Sequence, residues 1–543
     1  MRLQLVGHSY KYAIEQIMLS MFPGERPVYS DAGSGAASAG QGGAAAAEAA
    51  YDSKDAELAA KSGLSYGEYY AQVDTIISDG TAISRGRARV RLDKLSDKLA
   101  TDKLLQRAVK NSFFRAAEAF TTQLPVWGSL TGIRPAKIAR EAMQAAASAG
   151  AAAGAIAGAA AAKTTGKATA GASTKTAAKT TAKAVAGMLA RDYYVAPERA
   201  RMCVEAATAA IEAERTLEQR VDVALYIGIP FCTTRCAYCS FVSNSVERSF
   251  DLVEPFTQTL LREIEEIAQV IDDIGLRTVA VYMGGGTPTA LPVEHLSRIL
   301  GAMHTSFDLT GMREFTVEAG RPDTITKEKL SLIRQYGANR VCVNPQSMSV
   351  EVLSAIGRRH TPADTLQAAE LARECGAALN MDIIAGLPGD TPGGFRDTLE
   401  AVLDSAPENI TVHTLSLKKG SRIMNERTAI PGFAAVKDML DHAGERLRGR
   451  GYSPYYLYKQ KFTSGGFENT GWSLPGLECI YNICMMEELC SVISLGGGGV
   501  TKLVSPAGRI TRVFNSKYPH EYILSEGKTA QKQESIRNFY KTR

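Results

Sequence analysis

Three cysteines fall within eight positions of "YIGIPFCTTRCAYCSF" (226–241): Cys232, Cys236 and Cys239, spaced C-x3-C-x2-C. Thiols packed this closely point to a soft metal ion or an iron–sulfur cluster, and a tetrahedral zinc site would want four protein ligands. In a cubane four-iron cluster three thiolates hold three irons, leaving the fourth iron open to a ligand that is not protein. The alternatives are zinc completed by a distant His or Cys, or three unligated thiols. A second feature is "GGGTPT" (284–289). A glycine run alone marks only a turn, but directly after a strand it exposes backbone that a ligand's polar end can approach. Two polar residues at the ends of later apolar runs, Glu318 and Gln346, complete the set, with Arg358 and Arg359 as rivals at the helix start in "GRRH". Asp382 lies among apolar neighbours, where a carboxylate needs a hydrogen-bonding partner or a ligand.

These residues require elements that bring them together. From 221 onward, apolar runs alternate with helical patterns: "VALYIGIPF", "TVAVYM", "EFTVEAG", "RVCVNPQS", "ALNMDIIAGLP" and "NITVHTLSL". Six strands separated by helices imply parallel pairing with right-handed crossovers. The chemistry-bearing residues fall just past strand ends, where barrel active sites lie, so an α/β fold with a partial (β/α)6 barrel is expected.

At 543 residues the chain exceeds one average domain. The expected division is an N-terminal α+β region at 1–142, an Ala/Lys-rich insertion at 143–186 and a helical connector at 187–220. The core barrel follows at 221–430 and a C-terminal extension at 431–543. Low-complexity tracts at 31–50 and 143–186 are too poor in apolar residues to offset ordering entropy and are expected to be disordered. The net charge of +5 is small and scattered, which gives no case for nucleic acid. The uncharged run at 145–162 is nearly all Ala, Gly and Ser, too weakly apolar for a membrane span. The N-terminus lacks a signal-peptide pattern, and nine cysteines, an odd number, suit reduced thiols in the cytoplasm. Cys203, Cys342 and Cys375 are expected as core residues. Cys479, Cys484 and Cys490 do not share one helical face and are also expected as core thiols, not a second cluster.

The C-x3-C-x2-C loop after a first barrel strand, with Tyr238 before its last cysteine, resembles the signature of the radical S-adenosylmethionine (SAM) superfamily. The segments "GGGTPT", "TVEAGRPD", "VNPQSM", "AIGRRHT" and "MDIIAGLPGDT" narrow the resemblance to the oxygen-independent coproporphyrinogen oxidase group. "LTGIRPAKI" and "ENTGWSLPGLECIYNICMMEE" resemble its HemZ branch. The resemblance implies a [4Fe–4S] cluster on Cys232, Cys236 and Cys239, with SAM on the fourth iron. It places Tyr226 and Tyr238 beside SAM, Gly285, Gly286 and Thr287 as its backbone cradle, and Glu318, Gln346, Arg358 and Asp382 as polar contacts. It implies reductive cleavage of SAM to a 5′-deoxyadenosyl radical, oxidative decarboxylation of coproporphyrinogen III propionates to vinyl groups, and a low-potential donor such as a flavodoxin or ferredoxin. Arg321, Lys418 and Lys419 are candidates for the substrate carboxylates. Two positions depart from the group's better-known branches. Phe241 stands where coproporphyrinogen dehydrogenases carry a further cysteine. Tyr481 stands where the HemW haem chaperones carry a histidine. A haem-binding transfer protein on the same barrel is therefore the alternative.

Overall fold

The computed structural model describes residues 1–30, 58–161, 170–239, 244–246, 249–418, 420–460, 464–525 and 528–541, with side chains undescribed at 150–161, 170–176 and 244–245. The chain divides into two compact units. One comprises Met1–Ile133 with Ala145–Met202, the other Arg134–Gln144 with Cys203–Arg543.

In the first unit a five-stranded sheet has the order Val28–Tyr29, Arg2–Val6, Ala59–Tyr66, Tyr70–Ser78, Ile83–Arg91. Its last three strands form an antiparallel meander. In the last strand every second residue is arginine, at 85, 87, 89 and 91. These face solvent, while Gly86 and Val90 turn inward. That period of two packs the strand against the helix Lys98–Ala117. Gly86 is required there, since a Cβ would meet the Ser112 carbonyl oxygen at 1.9 Å. Of the low-complexity tracts, 31–50 lies outside the described residues. The 143–186 tract is helical where described, within Pro135–Ala161 and Ala170–Tyr193.

The second unit is built on an eleven-stranded sheet. Its strands are β1 (Asp222–Ile229), β2 (Arg277–Gly285), β3 (Glu314–Glu318), β4 (Arg340–Cys342), β5 (Ala378–Ala385), β6 (Asn409–Thr414), β7 (Ser453–Lys459), β8 (Glu468–Ser473), β9 (Ser491–Gly496), β10 (Val500–Val504) and β11 (Ile510–Phe514). The order is β7-β8-β6-β5-β4-β3-β2-β1-β9-β10-β11. Strands β1 to β6 pair in parallel in sequence order, the partial barrel expected from the alternation of strands and helices. They are near-continuously buried, as strands covered on both faces must be. Amphipathic helices such as Val253–Ile274 and Val293–Ser306 bury Leu260, Ile264, Ile299 and Leu300 as their apolar stripes.

Both edges of the barrel are extended by the stretch after 430. The β7–β8 hairpin pairs antiparallel with β6, and β9 adds a seventh parallel strand beside β1. β4 is shorter than the apolar run "RVCVNPQS" suggests. The chain leaves the sheet after Cys342 and returns for one bridge, Gln346 to Ile383. Gln346 has φ +67°, a left-handed conformation uncommon for a residue with a side chain. Among the described residues no helix is long and apolar enough to cross a membrane.

Candidate active site

Strand β1 ends at Ile229 and turns through Pro230 into the short strand Phe231–Cys232. The glycine-rich turn after β2 lies directly against it: Gly286 N–H donates to the Ile229 carbonyl and Thr287 N–H to that of Phe231, each at 2.7 Å. Gly286 cannot be replaced without displacement, because a Cβ would come within 2.3 Å of the Phe231 oxygen. Gly285, at φ +106°, makes the bend. The run is thus a backbone-to-backbone seam, and it holds the Thr287 hydroxyl 3.5 Å from Cys232 Sγ. The other end of the cysteine loop is pinned by Ala237 N–H to the Ile356 carbonyl (2.9 Å) and Ile423 N–H to the Ala237 carbonyl (3.2 Å).

Cys232, Cys236 and Cys239 open onto one cavity of about 560 Å³ at the C-terminal ends of the barrel strands. Tyr238, Gly285, Gly286, Thr287, Glu318, Gln346, Arg358 and Asp382 line the same cavity. Tyr226 does not. It lies in β1 with its ring stacked against Tyr282 and Tyr481 (centroids 6.4 and 6.3 Å), its hydroxyl beneath Gly285. Arg358 is buried and lines the cavity, while Arg359 is exposed.

Two guanidiniums organise the cysteine loop. Arg358 donates to the carbonyls of Gly320 (3.0 Å) and Asn344 (2.6 Å) and to the Tyr238 hydroxyl (3.2 Å). Arg321 grips Asp323 through two nitrogens and the Thr234 hydroxyl at 2.9 Å, with Cys236 Sγ at 3.8 Å. Burial alone would raise the Cys236 thiol, but these two cations hold it below the ordinary thiol range. Arg321 lines the cavity while its guanidinium is hydrogen-bonded to the loop. Lys419 lies outside the described residues.

Glu318 accepts from the Tyr282 hydroxyl at 2.6 Å. Its burial is the main cause that pushes its carboxyl up to about 7, against the pull of that hydrogen bond, and nearby Asp382 adds to the rise. Asp382 has the partner its burial requires, His413 Nε2 at 3.6 Å, whose Nδ1 lies 3.3 Å from Asn469 Oδ1. Gln346 Oε1, Asn344 Oδ1 and Asn469 Nδ2 are buried with no hydrogen-bond partner. His413, Tyr458 and Gln460 also line the cavity and lie outside the motif segments, while Asn344 and Asn469 fall within them but are not among the expected site residues. Among the described residues no three His, Cys, Asp or Glu side chains converge as ligands of a single ion would. Cubane ligands need not converge, since each thiolate binds a different iron.

Cys479, Cys484 and Cys490 are buried in an apolar cluster with Tyr455, Tyr456 and Tyr481. Cys479 Sγ donates to Glu314 at 2.9 Å, and the same carboxylate accepts from Ile480 N–H at the start of the helix Ile480–Glu487.

Residues 226–402 match the radical SAM superfamily. The oxygen-independent coproporphyrinogen-III oxidase-like protein HemZ of Bacillus subtilis (strain 168) is 35% identical over 432 residues, covering 78% of this chain and 80% of that protein. The chain belongs to the radical SAM superfamily, whose members bind a [4Fe–4S] cluster and SAM. Within it, the chain belongs to the oxygen-independent coproporphyrinogen-III oxidase-like group that HemZ represents. The haem chaperone HemW of Escherichia coli (strain K12) is 25% identical, over 58% of this chain and 78% of that one. Coproporphyrinogen III oxidase (HemN) from Escherichia coli, a radical SAM enzyme of known structure, aligns over 59% of this chain and 71% of its own. Its identity is 20% and its TM-score 0.46.

The cavity suits both cofactors. It offers three thiols, one of them electrostatically primed, and two orphaned amide oxygens able to accept from an ammonium group. Gly285, Gly286 and Thr287 line the cavity beside them.

Proposed function

We propose that this chain is a radical SAM oxidoreductase of porphyrin and haem biosynthesis that converts propionates of coproporphyrinogen III to vinyl groups without oxygen. The observation supporting it is Lys418. It lines the cavity, half-buried, with no hydrogen bond or ion pair from its ammonium group among the described residues. Burial pulls this lysine below its ordinary range, so an anionic group beside it would restore the charge. A carboxylate of the substrate is the natural counter-ion.

The cluster and SAM, when bound, supply a carbon-centred radical that takes a hydrogen atom from an unactivated C–H bond. Cys232, Cys236 and Cys239 would hold the cluster, and Arg321 and Arg358 would offset its thiolate charge. The Gly285–Thr287 backbone, Glu318 and Gln346 would hold the polar end of SAM, with Asp382 beside them. Lys418 would anchor a propionate so that its chain faces the cysteine wall. Each converted propionate loses a hydrogen atom, carbon dioxide and one electron.

The test is anaerobic reconstitution with coproporphyrinogen III, SAM and a reductant, followed by product mass spectrometry. Products lacking one and then two carboxyl groups support the assignment. SAM cleavage with the porphyrinogen returned intact overturns the substrate.

A haem-transfer reading rests on His413, the one imidazole among the described lining residues. Tyr481 does not serve it, being buried with its ring stacked on Tyr282 at 4.6 Å. A Soret band formed without SAM and lost in His413→Ala would favour transfer over catalysis.

A further inference from the structure

Arg107, Arg115 and Arg191 of the first unit line a cavity of about 200 Å³, which Arg89 borders with its side chain on the solvent face of the sheet. Arg89 comes from the edge strand Ile83–Arg91, Arg107 and Arg115 from the helix Lys98–Ala117, and Arg191 from the end of the helix Ala170–Tyr193. None of the four forms an ion pair among the described residues. Arg89 donates to Gln72 Oε1 at 2.7 Å, and Arg107 lies over the Tyr193 ring at 5.5 Å. Arg115 donates to the Tyr194 hydroxyl at 2.5 Å and to the Arg87 carbonyl. Arg191 has no hydrogen-bond or ion-pair partner among the described residues. Asp192 is the one acid in the lining, so the cavity carries an excess of positive charge.

The walls are held in place. Tyr194 has φ +57°, an uncommon conformation for a bulky residue, and persists there because its ring stacks on Phe114 at 4.8 Å. Asn111 is fixed by donating to the Asp192 carbonyl (2.8 Å) and accepting from the Ser129 hydroxyl (2.5 Å). Converging like charges oppose one another unless a counter-ion joins them. The polar lining is dominated by donors, which selects an acceptor-only ligand. Guanidinium forks match tetrahedral oxyanions through paired hydrogen bonds.

We propose that this cavity is a binding site for phosphate groups, of a size for a di- or triphosphate. It lies outside the cysteine-bearing unit, and its assignment does not depend on the proposed reaction. The phosphate could be free pyrophosphate or the triphosphate of a nucleotide, and the two share the chemistry.

The test uses the full chain with calorimetric titration of pyrophosphate, ATP and citrate at low ionic strength. Pyrophosphate or ATP should bind, and Arg191→Gln should weaken binding roughly 10-fold, with Arg107→Gln additive to it. Equal affinity for pyrophosphate and ATP assigns the site to the phosphates alone, and tighter ATP binding adds a contact to the nucleoside. Arg396→Gln, at an exposed arginine of the other unit paired with Asp438, should leave binding unchanged. Cluster content and melting temperature of each variant report that it folds. No binding of either phosphate ligand, citrate bound as tightly as pyrophosphate, or an equal loss in Arg396→Gln would each overturn the assignment.

Discussion

Glu263 sits at the centre of one buried polar cluster and Gln346 at the edge of another, and the two differ in how their oxygens are satisfied. The Glu263 carboxylate accepts from Lys532, Gly496 N–H (2.7 Å), the Tyr522 hydroxyl (2.6 Å) and Asn515 (3.1 Å). Lys532 in turn donates to the Ser494 carbonyl at 2.8 Å. This hub joins the helix Val253–Ile274 to β9 and to the C-terminal helix Lys528–Lys541, and it closes upon itself. In the cavity, Gln346 Oε1, Asn344 Oδ1 and Asn469 Nδ2 have no partner at all. An unsatisfied buried polar atom costs about 1–3 kcal/mol, so a protein that keeps several in one place keeps them for a ligand. The first cluster is satisfied within the fold, whereas the second leaves polar atoms open to the cavity.

Removing a thiol should break the open cluster outright. Cys236→Ala, or the same change at Cys232 or Cys239, should abolish the visible iron–sulfur absorbance after anaerobic reconstitution. Cys484→Ala should retain it. Four irons still bound without Cys236 would refute the ligand set.

In the closed cluster, Lys532→Met strands the Glu263 carboxylate and should cost about 3–5 kcal/mol in denaturant unfolding. SAM affinity, measured on the folded fraction, should stay unchanged. A loss of SAM binding at full stability would show that the two clusters are coupled.

Glu318→Gln should lower SAM affinity by roughly 10- to 100-fold, taking about 1.4 kcal/mol per decade. Iron content should not change. Because burial holds the Glu318 carboxyl at about 7, its charged form is depleted below that pH. SAM affinity should therefore rise with pH across about 7 in the wild type and be flatter in the variant. The linkage has the opposite sign for the ligand-free fold: an acid whose pKa is raised on folding binds more protons when folded, so stability falls as pH rises from about 4.3 toward 7. Normal SAM binding with loss of the porphyrinogen would move Glu318 to the substrate side.

The smallest effect is expected from deleting 145–183. Residues 145–149 are exposed, and the first described side chain buried after the tract is Val185. The melting temperature should shift little, since exposed residues away from packed contacts contribute little to stability. A collapse of soluble expression would show that the tract packs against the fold.

What the sequence determined by itself was local. The spacing of Cys232, Cys236 and Cys239, the glycine run at 284–286 and the six buried strands are encoded over a few residues each. Parallel strands separated by helices then leave one set of loops at one end of the sheet. Glu318 and Gln346 follow from that rule, whereas Asp382, inside β5, is marked as a SAM contact only by the family resemblance. The tertiary structure decided which charges meet across long separations. Arg321, a candidate for the substrate carboxylates, also bonds Asp323 and Thr234 and lies beside Cys236, the last 85 positions earlier. His413 and Asn469 face each other only because β8 pairs antiparallel with β6, and no periodicity announces that edge. β9 reads as one more apolar run after the Gly- and Cys-containing stretch. Its place beside β1 is set by the free edge of the barrel, which offers unpaired backbone groups that a parallel strand satisfies. Hydrogen-bond demand and charge pairing act through space, so a pattern read along the chain finds the cluster loop but not the partners that tune it.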